Sequence, residues 1–299
     1  MSLSSPSKII VIVGPTSSGK TAWALELAHE LNGEIVSADS RQVYREFSIG
    51  TSKPYGVWRG DQYLIAGIPY HLVDIVDPDE EFTLAHYQRR AFEAIDTIAN
   101  RGKLPMLVGG TGLYIQTVID NLAIPAVKPN EALRKRLAQE STTELAAMLN
   151  AIAPAAAETV DPNNPRRLIR AIEVALGAQR SSAAPKTQGP ARYETLQIGI
   201  AKPKDELYAA IDARVDEMIE AGLVHEVETL LSRYDRTLPA LSGIGYAEII
   251  QHLDGTITLE KTIRLIKTHT RQYARRQMTW FKRDTRISWT STLVEARQL

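Results

Sequence analysis

Apolar residues follow two rhythms along this chain. Lys8–Val13 (KIIVIV) is a continuous β-branched run, the pattern of a strand buried on both faces. Thr21–Asn32 then adopts helical spacing, with Gly33 as its expected stop. Glu34–Ala38 reads as a second strand ending at Asp39, Tyr70–Val73 as a possible third, and Leu104–Val108 as another that runs into Gly109 and Gly110. Thr83 can cap a long helix whose Leu84, Tyr87, Phe92, Ile95 and Ile98 fall near one face. Strands alternating with helices predict a parallel sheet covered on both sides.

From Leu122 to about Arg192 the strand signal vanishes. Ala-rich helical stretches remain, punctuated by Pro125, Pro129, Pro154, Pro162 and Pro165, with Ser141–Glu144 (STTE) as a capping box. Ser181–Pro190 reads as a flexible loop, and Thr195–Ala201 as a return to the sheet. With GPTSSGKT (14–21), a G-x-x-x-x-G-K-[ST] turn, after the first strand, the expected architecture is an α/β P-loop NTPase-like parallel sheet flanked by helices, with a helical insertion domain. The core spans 1–121 and 194–299, and the insertion 122–193. No repeat with a period of 20 to 50 residues is visible.

Composition excludes several classes of chemistry. The 299 residues contain no cysteine, so disulfides, thiolate zinc sites and cysteine nucleophiles are ruled out, and the cytoplasm is a compatible location. No apolar run approaches the ~18 residues of a membrane helix. The start, Met1–Ser7, is Ser-rich and lacks a signal core, which argues for a tail and against secretion. The six histidines show no metal-binding spacing. Net charge is zero, yet Lys261–Arg286 holds nine Lys/Arg against one acid, leaving 26 basic and 34 acidic groups elsewhere. Such an asymmetry fits a polyanionic partner at a defined place.

The chemistry begins at Gly14-Pro15-Thr16-Ser17-Ser18-Gly19-Lys20-Thr21, which satisfies G-x-x-x-x-G-K-[ST] between a buried strand and a helix. The glycines let backbone N–H groups wrap a phosphate, Lys20 adds charge, and Thr21 can hold Mg²⁺. The usual Mg²⁺-supporting strand of a nucleoside triphosphatase ends in Asp, whereas Leu104–Val108 ends in Gly-Gly. Asp39 is the acid at the mouth of a core strand beside the loop, and a metal support and a base are equally open roles for it. In the helix expected over Asp205–Ala221, Arg214 falls inside the stripe of Leu207, Ile211 and Met218, so it needs a partner: a diphosphate, a carboxylate or water. In Lys261–Arg283, Arg264, Arg271, Arg275 and Lys282 share one face beside Ile263, Ile266, Tyr273, Ala274 and Trp280, a pattern suited to an RNA backbone. Arg166 and Arg170 open a helix after Pro165, against its dipole; the plain alternative is a pair between Arg170 and Glu173.

Read outward from the loop, the chain resembles the tRNA dimethylallyltransferases. The matching pieces are GPTSSGKT (14–21), SADSRQVY (37–44), IGTSKP (49–54), HLVD (71–74), VGGTGLY (108–114), NNPRRLIRAIEV (163–174), GIGYAE (243–248) and TRQYARRQMTWFKR (270–283), in family order over nearly the whole chain. Leu241 and Ala247 stand where the family pattern has Met and Lys. The resemblance implies transfer of a dimethylallyl group from its diphosphate to N6 of the adenosine 3′ of a tRNA anticodon, position 37. It implies that the nucleotide-binding loop grips a diphosphate with Mg²⁺, that Asp39 is the general base, that Thr111 lies in the reaction channel and that Arg214 acts on the leaving group. Asp39, Ser40, Arg41 and Gln42 would contact the anticodon stem-loop of the tRNA. So would Arg166, Arg167, Leu168, Ile169 and Arg170, and Leu241, Ser242, Gly243, Ile244, Gly245 and Tyr246, with Thr111 and Arg134 as further contacts. The expected enzyme is a monomer, without a membrane partner. The alternatives are a P-loop kinase of a small metabolite or nucleoside, which explains the loop but not the basic helix, and a non-catalytic RNA-binding module, which explains the helix but not the loop.

Overall fold

The computed structural model describes residues 6–178 and 189–299. The expected loop at Ser181–Pro190 therefore lies outside the described residues except for its last two, and the expected tail at Met1–Ser7 except for Pro6 and Ser7. The chain divides into two units, Met1–Asn121 with Pro190–Leu299, and Leu122–Gly189.

The larger unit begins with β1 (Ser7–Val13), α1 (Lys20–Glu30) and β2 (Gly33–Ser37), continues through β3 (Val57–Arg59), β4 (Gln62–Ile65) and β5 (Ile68–His71), and reaches α2 (Leu84–Asn100), β6 (Leu104–Gly109) and α3 (Gly112–Ile119). Ile9–Val13 are wholly buried, as the unbroken apolar run requires of a strand covered on both faces. Gly33 is not the stop of α1. Asn32 takes the left-handed conformation (φ 52°), and Gly33 already pairs with Leu104 as the first residue of β2. Thr83 caps α2 as expected, its hydroxyl accepting from His86 N at 3.2 Å, and Tyr87, Ile95 and Ile98 are buried.

The smaller unit consists of α4 (Glu131–Leu137), α5 (Thr142–Ile152), α6 (Pro154–Ala157) and α7 (Pro165–Ala178). Ser141 and Glu144 form the expected capping box at α5. Its core joins Leu137, Leu145, Leu149, Leu168 and Ile172.

The larger unit resumes with β7 (Tyr193–Ile200), α8 (Lys204–Glu220), α9 (Leu223–Arg233), a 3₁₀ turn (Pro239–Ser242), α10 (Tyr246–Leu253), α11 (Leu259–Phe281), β8 (Ile287–Thr290) and α12 (Leu293–Ala296). Residues 190–193, read from the sequence as insertion, cluster with this unit instead. Arg192 and Tyr193 both bond Asp96 of α2, at 2.7 and 2.8 Å.

The strands form one sheet ordered β3-β4-β5-β2-β6-β1-β7-β8, parallel from β5 to β8. The antiparallel β3–β4 hairpin has strands too short to show a periodicity, and Val57, Trp58 and Arg59 are all exposed. One core layer packs Val11, Val36 and Leu107 under α2 and α3, and the other packs Ile12, Ile35 and Met106 under α1. A third cluster, from Val43 through Tyr246 to Ile266, seats α8 to α11 beyond the carboxyl ends of the strands. Ligands of open parallel sheets bind at those ends. No helix among the described residues is long and apolar enough to cross a membrane.

Candidate active site

β1 delivers the chain at Gly14 into the phosphate loop, and α1 starts at Lys20. The turn is possible because Gly19 takes φ 98°, a conformation a side chain disfavours. Lys20, Thr21 and Ala22 open the helix, so their backbone N–H groups lack intrahelical acceptors and offer an anion site. The Ser17 and Ser18 hydroxyls are buried without a partner. Lys20 folds back to donate to the Pro15 carbonyl at 2.6 Å. Burial chiefly brings its ammonium down to about 8, with Asp39 opposing the shift and Arg214 adding to it.

Asp39 lies beside the phosphate loop as expected, although β2, the strand it follows, is not paired with β1. β6 lies between β1 and β2. The two sites nevertheless meet, because β6 ends in glycines and projects no side chain into the gap; a Cβ at Gly109 would collide with the Ala38 carbonyl. The Asp39 carboxylate caps its own turn, Oδ1 accepting from Arg41 N at 2.8 Å and Gln42 N at 3.2 Å. That leaves Oδ2 for a substrate. Thr111 stands behind Ser40, its Oγ1 accepting from Ser40 N at 3.1 Å, and it hydrogen-bonds the Tyr273 hydroxyl. Burial, with the Asp39 charge, pushes that phenol up to about 12.

A cavity of about 620 Å³ has Thr16, Ser17, Gly19, Lys20, Thr21, Asp39–Gln42, Ser52, Tyr70, Arg214, Ser242–Tyr246, Tyr273 and Gln277 on its walls, whereas Thr111, expected in the channel, is set behind Ser40 and does not line it. Gly14, Pro15 and Ser18 are buried behind the loop. One wall is apolar, from Ile211, Val215 and Met218 of α8 with Ile244 and Ile266. Arg214 interrupts that wall. It donates from Nε to Ser52 Oγ at 2.8 Å, has no carboxylate within salt-bridge distance among the described residues, and is held below its usual range by burial, which Glu217 partly offsets. An unpaired cation on an apolar face, beside a second one on Lys20, marks a place for a polyanion.

A pH dependence follows. An anion binds the protonated form of Lys20, which is nearly full about a unit below pH 8, half populated near pH 8 and declining above it. Affinity for inorganic diphosphate, measured calorimetrically from pH 6.5 to 9.5, is expected to be flat at the low end. Above pH 8 it should fall, approaching tenfold per pH unit, and the fall should be absent in Lys20→Arg.

Several expected RNA contacts turn out to be engaged in the fold. Leu168, Leu241 and Tyr246 are core residues, 1–2 % exposed, because their apolar bodies complete the clusters of their own units. The Tyr246 hydroxyl donates to Glu226 Oε1 at 2.7 Å, and Ile169 packs partly buried on the insertion core. Arg41 donates to the Pro239 carbonyl at 2.7 Å and Gln42 to the Thr51 carbonyl at 3.1 Å. Arg134 and Arg170 both bond Glu173, at 2.8 and 2.5 Å, so the plain pairing holds in this structure. Burial would raise that carboxyl, yet hydrogen bonds from Arg134, Asn130 N and Arg170 hold it down to about 2. The helix α11 is less naked than its own sequence suggests. Arg271 pairs with Asp212 and Lys267 with Asp216, both on α8, and Arg264 pairs with Glu260 within the helix. Among the described residues no carboxylate lies within 4 Å of Arg275 or Lys282, which stay exposed, as do Arg166, Arg167 and Ser242. Gly243 and Gly245 are buried.

Sequence reasoning gave no role to Ser52, Tyr70, Glu226, Tyr273 or Gln277. Glu226 takes Ser48, Ile49 and Gly50 N–H groups at 2.7–3.1 Å and so shapes the turn that carries Ser52. Ser52, Tyr273 and Gln277 sat inside the matching segments IGTSKP and TRQYARRQMTWFKR, the available signal.

The chain is similar to known proteins over nearly its whole length. A family model described as IPP transferase matches residues 42–284, and one described as isopentenyl transferase matches residues 7–57. A tRNA dimethylallyltransferase of Roseiflexus sp. (strain RS-1) is 48% identical over 280 residues, covering 92% of this chain and 90% of that protein. That of Synechocystis sp. is 43% identical over 281 residues, covering 94% and 90%. The crystal structure of the tRNA isopentenylpyrophosphate transferase of Bacillus halodurans superposes with a TM-score of 0.69 at 38% identity, over 95% of this chain and 89% of that one. A eukaryotic dimethylallyltransferase solved while acting on tRNA superposes at 0.74 with 29% identity, over 92% and 69%.

Proposed function

The chain belongs to the IPP transferase family, and from that premise we propose that it moves a dimethylallyl group from its diphosphate to the N6 amine of adenosine 37 of a tRNA. The observation that carries this reading is the cavity itself. It brings together two cations, open backbone N–H groups, a carboxylate oxygen and an apolar wall from α8, Ile244 and Ile266 of α11. An adenine amine is a weak nucleophile, so the reaction depends on weakening the donor's C1–O bond. Lys20, Arg214 and the N–H groups at the start of α1 take up the charge on the departing diphosphate. The C1–O bond breaks with its electron pair going to diphosphate, the N6–C1 bond forms, and the amine proton passes to Asp39 Oδ2. The apolar wall receives the dimethylallyl tail and keeps water from the allylic centre.

The residues fit a divalent ion held chiefly by substrate. Among the described residues no group of three His, Asp or Glu is close enough to cage a metal, and Mg²⁺ normally rests on one or two protein oxygens, waters and phosphates. The Thr21 hydroxyl, which line the cavity beside the unpartnered Ser17 hydroxyl, would hold it, and Mg²⁺ would supply charge neutralisation on the leaving group.

The anticodon stem-loop is the part of the tRNA in which the target base can splay out and enter a buried site. Arg166, Arg167, Arg275, Lys282 and Ser242 are the exposed groups we assign to it, with Ile244 and Gly245 shaping the entry. We assign the reaction to a monomer in the cytoplasm, where a tRNA substrate is at hand. The kinase alternative draws no support from the relatives described above. Incubation with dimethylallyl diphosphate or ATP, with and without tRNA, tests the reading. Prenylated adenosine and free diphosphate are expected only when tRNA and the prenyl donor are both present. Phosphoryl transfer from ATP without prenyl transfer would overturn it.

A further inference from the structure

Gln277 of α11 is 6% exposed and spends its whole amide on two loops. Its Oε1 accepts from Thr16 N of the phosphate loop at 2.9 Å, and its Nε2 donates to the Gly110 carbonyl at 2.8 Å. A Cβ at Gly110 would collide with that Nε2, so the contact requires glycine there. The turn it reaches is tied in turn to the carboxylate side of the cavity, since Thr111 N donates to the Ala38 carbonyl at 3.1 Å and Ala38 N to the Val108 carbonyl at 2.7 Å. Tyr273 and Trp280, one helical turn to either side of Gln277, lie on Thr111 and Gly112. One face of α11 therefore grips the turn after β6, and Gln277 extends that grip to the loop after β1.

We propose that Gln277 is a positioning residue: its amide sets the distance between the phosphate loop, which holds the donor, and the turn that carries Asp39. The inference rests on the prenyl-transfer reading. Only a side chain that accepts and donates at once, at this reach, bridges both loops. A leucine fills the space and leaves Thr16 N and the Gly110 carbonyl unpaired. Misplacing the two reactants by about 1 Å costs on the order of 10² in rate.

The test compares wild type, Gln277→Leu and Gln277→Glu, each corrected for folded fraction. Gln277→Leu is expected to lose 10- to 100-fold in single-turnover prenyl transfer, with tRNA affinity within about twofold and inorganic diphosphate affinity within tenfold of wild type. Gln277→Glu keeps the acceptor, and only its protonated form donates to Gly110. Its rate relative to wild type should therefore rise as pH is lowered from 8 to 6. A role confined to stability would lower the melting temperature and leave that ratio flat. Wild-type rate per folded Gln277→Leu, or a flat ratio for Gln277→Glu, would overturn the assignment. Absence of prenyl transfer by wild type would instead remove the reading beneath it, while diphosphate titration still reports on the loop.

Discussion

Asp39→Asn is expected to slow single-turnover prenyl transfer by ~10²–10⁴-fold, with tRNA and donor affinities each within a few-fold of wild type. The geometry makes this substitution unusually clean. Oδ1 of Asp39 is occupied by Arg41 N and Gln42 N, bonds that an asparagine carbonyl keeps, so the turn survives. What changes is the second position, where an oxygen able to accept a proton becomes an amide. A carboxylate that chiefly supported a metal would respond otherwise: donor binding would weaken and added Mg²⁺ would restore the rate. The measurement is the rate and both affinities across a Mg²⁺ series. Metal rescue would sink the base assignment.

Arg214→Leu is expected to separate stability from function. Leu207, Ile211 and Val215 are buried on the same stripe of α8, and a leucine at 214 would make that stripe continuous. It also removes a half-buried cation whose recorded hydrogen bond is to Ser52, so the melting temperature should hold or rise by a few degrees. A charge-assisted contact to the leaving group is worth about 3 kcal/mol, so kcat/KM should fall by 10²–10³. Thermal scanning and steady-state kinetics on one preparation decide between the alternatives. A large fall in melting temperature with normal kinetics per folded enzyme would make the guanidinium a structural element.

Much of this protein is local in origin. The run Lys8–Val13, the phosphate loop, the cap at Thr83 and the box at Ser141–Glu144 depend on neighbours within a few residues, and the structure has each of them. Arg214 also stood out locally, since 3.6-residue periodicity alone places it on an apolar stripe.

Partnership across the chain was not legible in the same way. The basic face of α11 looked unopposed because its acids, Asp212 and Asp216, lie more than fifty residues away on α8. Charge counted along one segment cannot include carboxylates that another helix brings to it. Arg170 shows the reverse: its partner Glu173 sits three residues on, and the pair was visible beforehand, while Arg134 joined it only through tertiary packing.

Strand order was the largest decision left to the tertiary structure. The amino-acid sequence by itself determined that Gly14–Thr21 forms a glycine-bearing turn from strand to helix and that Asp39 follows a strand, because both depend on backbone freedom and local periodicity. It could not say that β6 runs between them, since parallel neighbours are joined through crossovers and share no local signal. Once β6 is in place the meaning of Gly109-Gly110 changes. Those glycines looked like a missing aspartate, and they are the gap that Ala38 and Gln277 occupy, because a side chain at Gly109 would strike the Ala38 backbone and one at Gly110 the Gln277 amide.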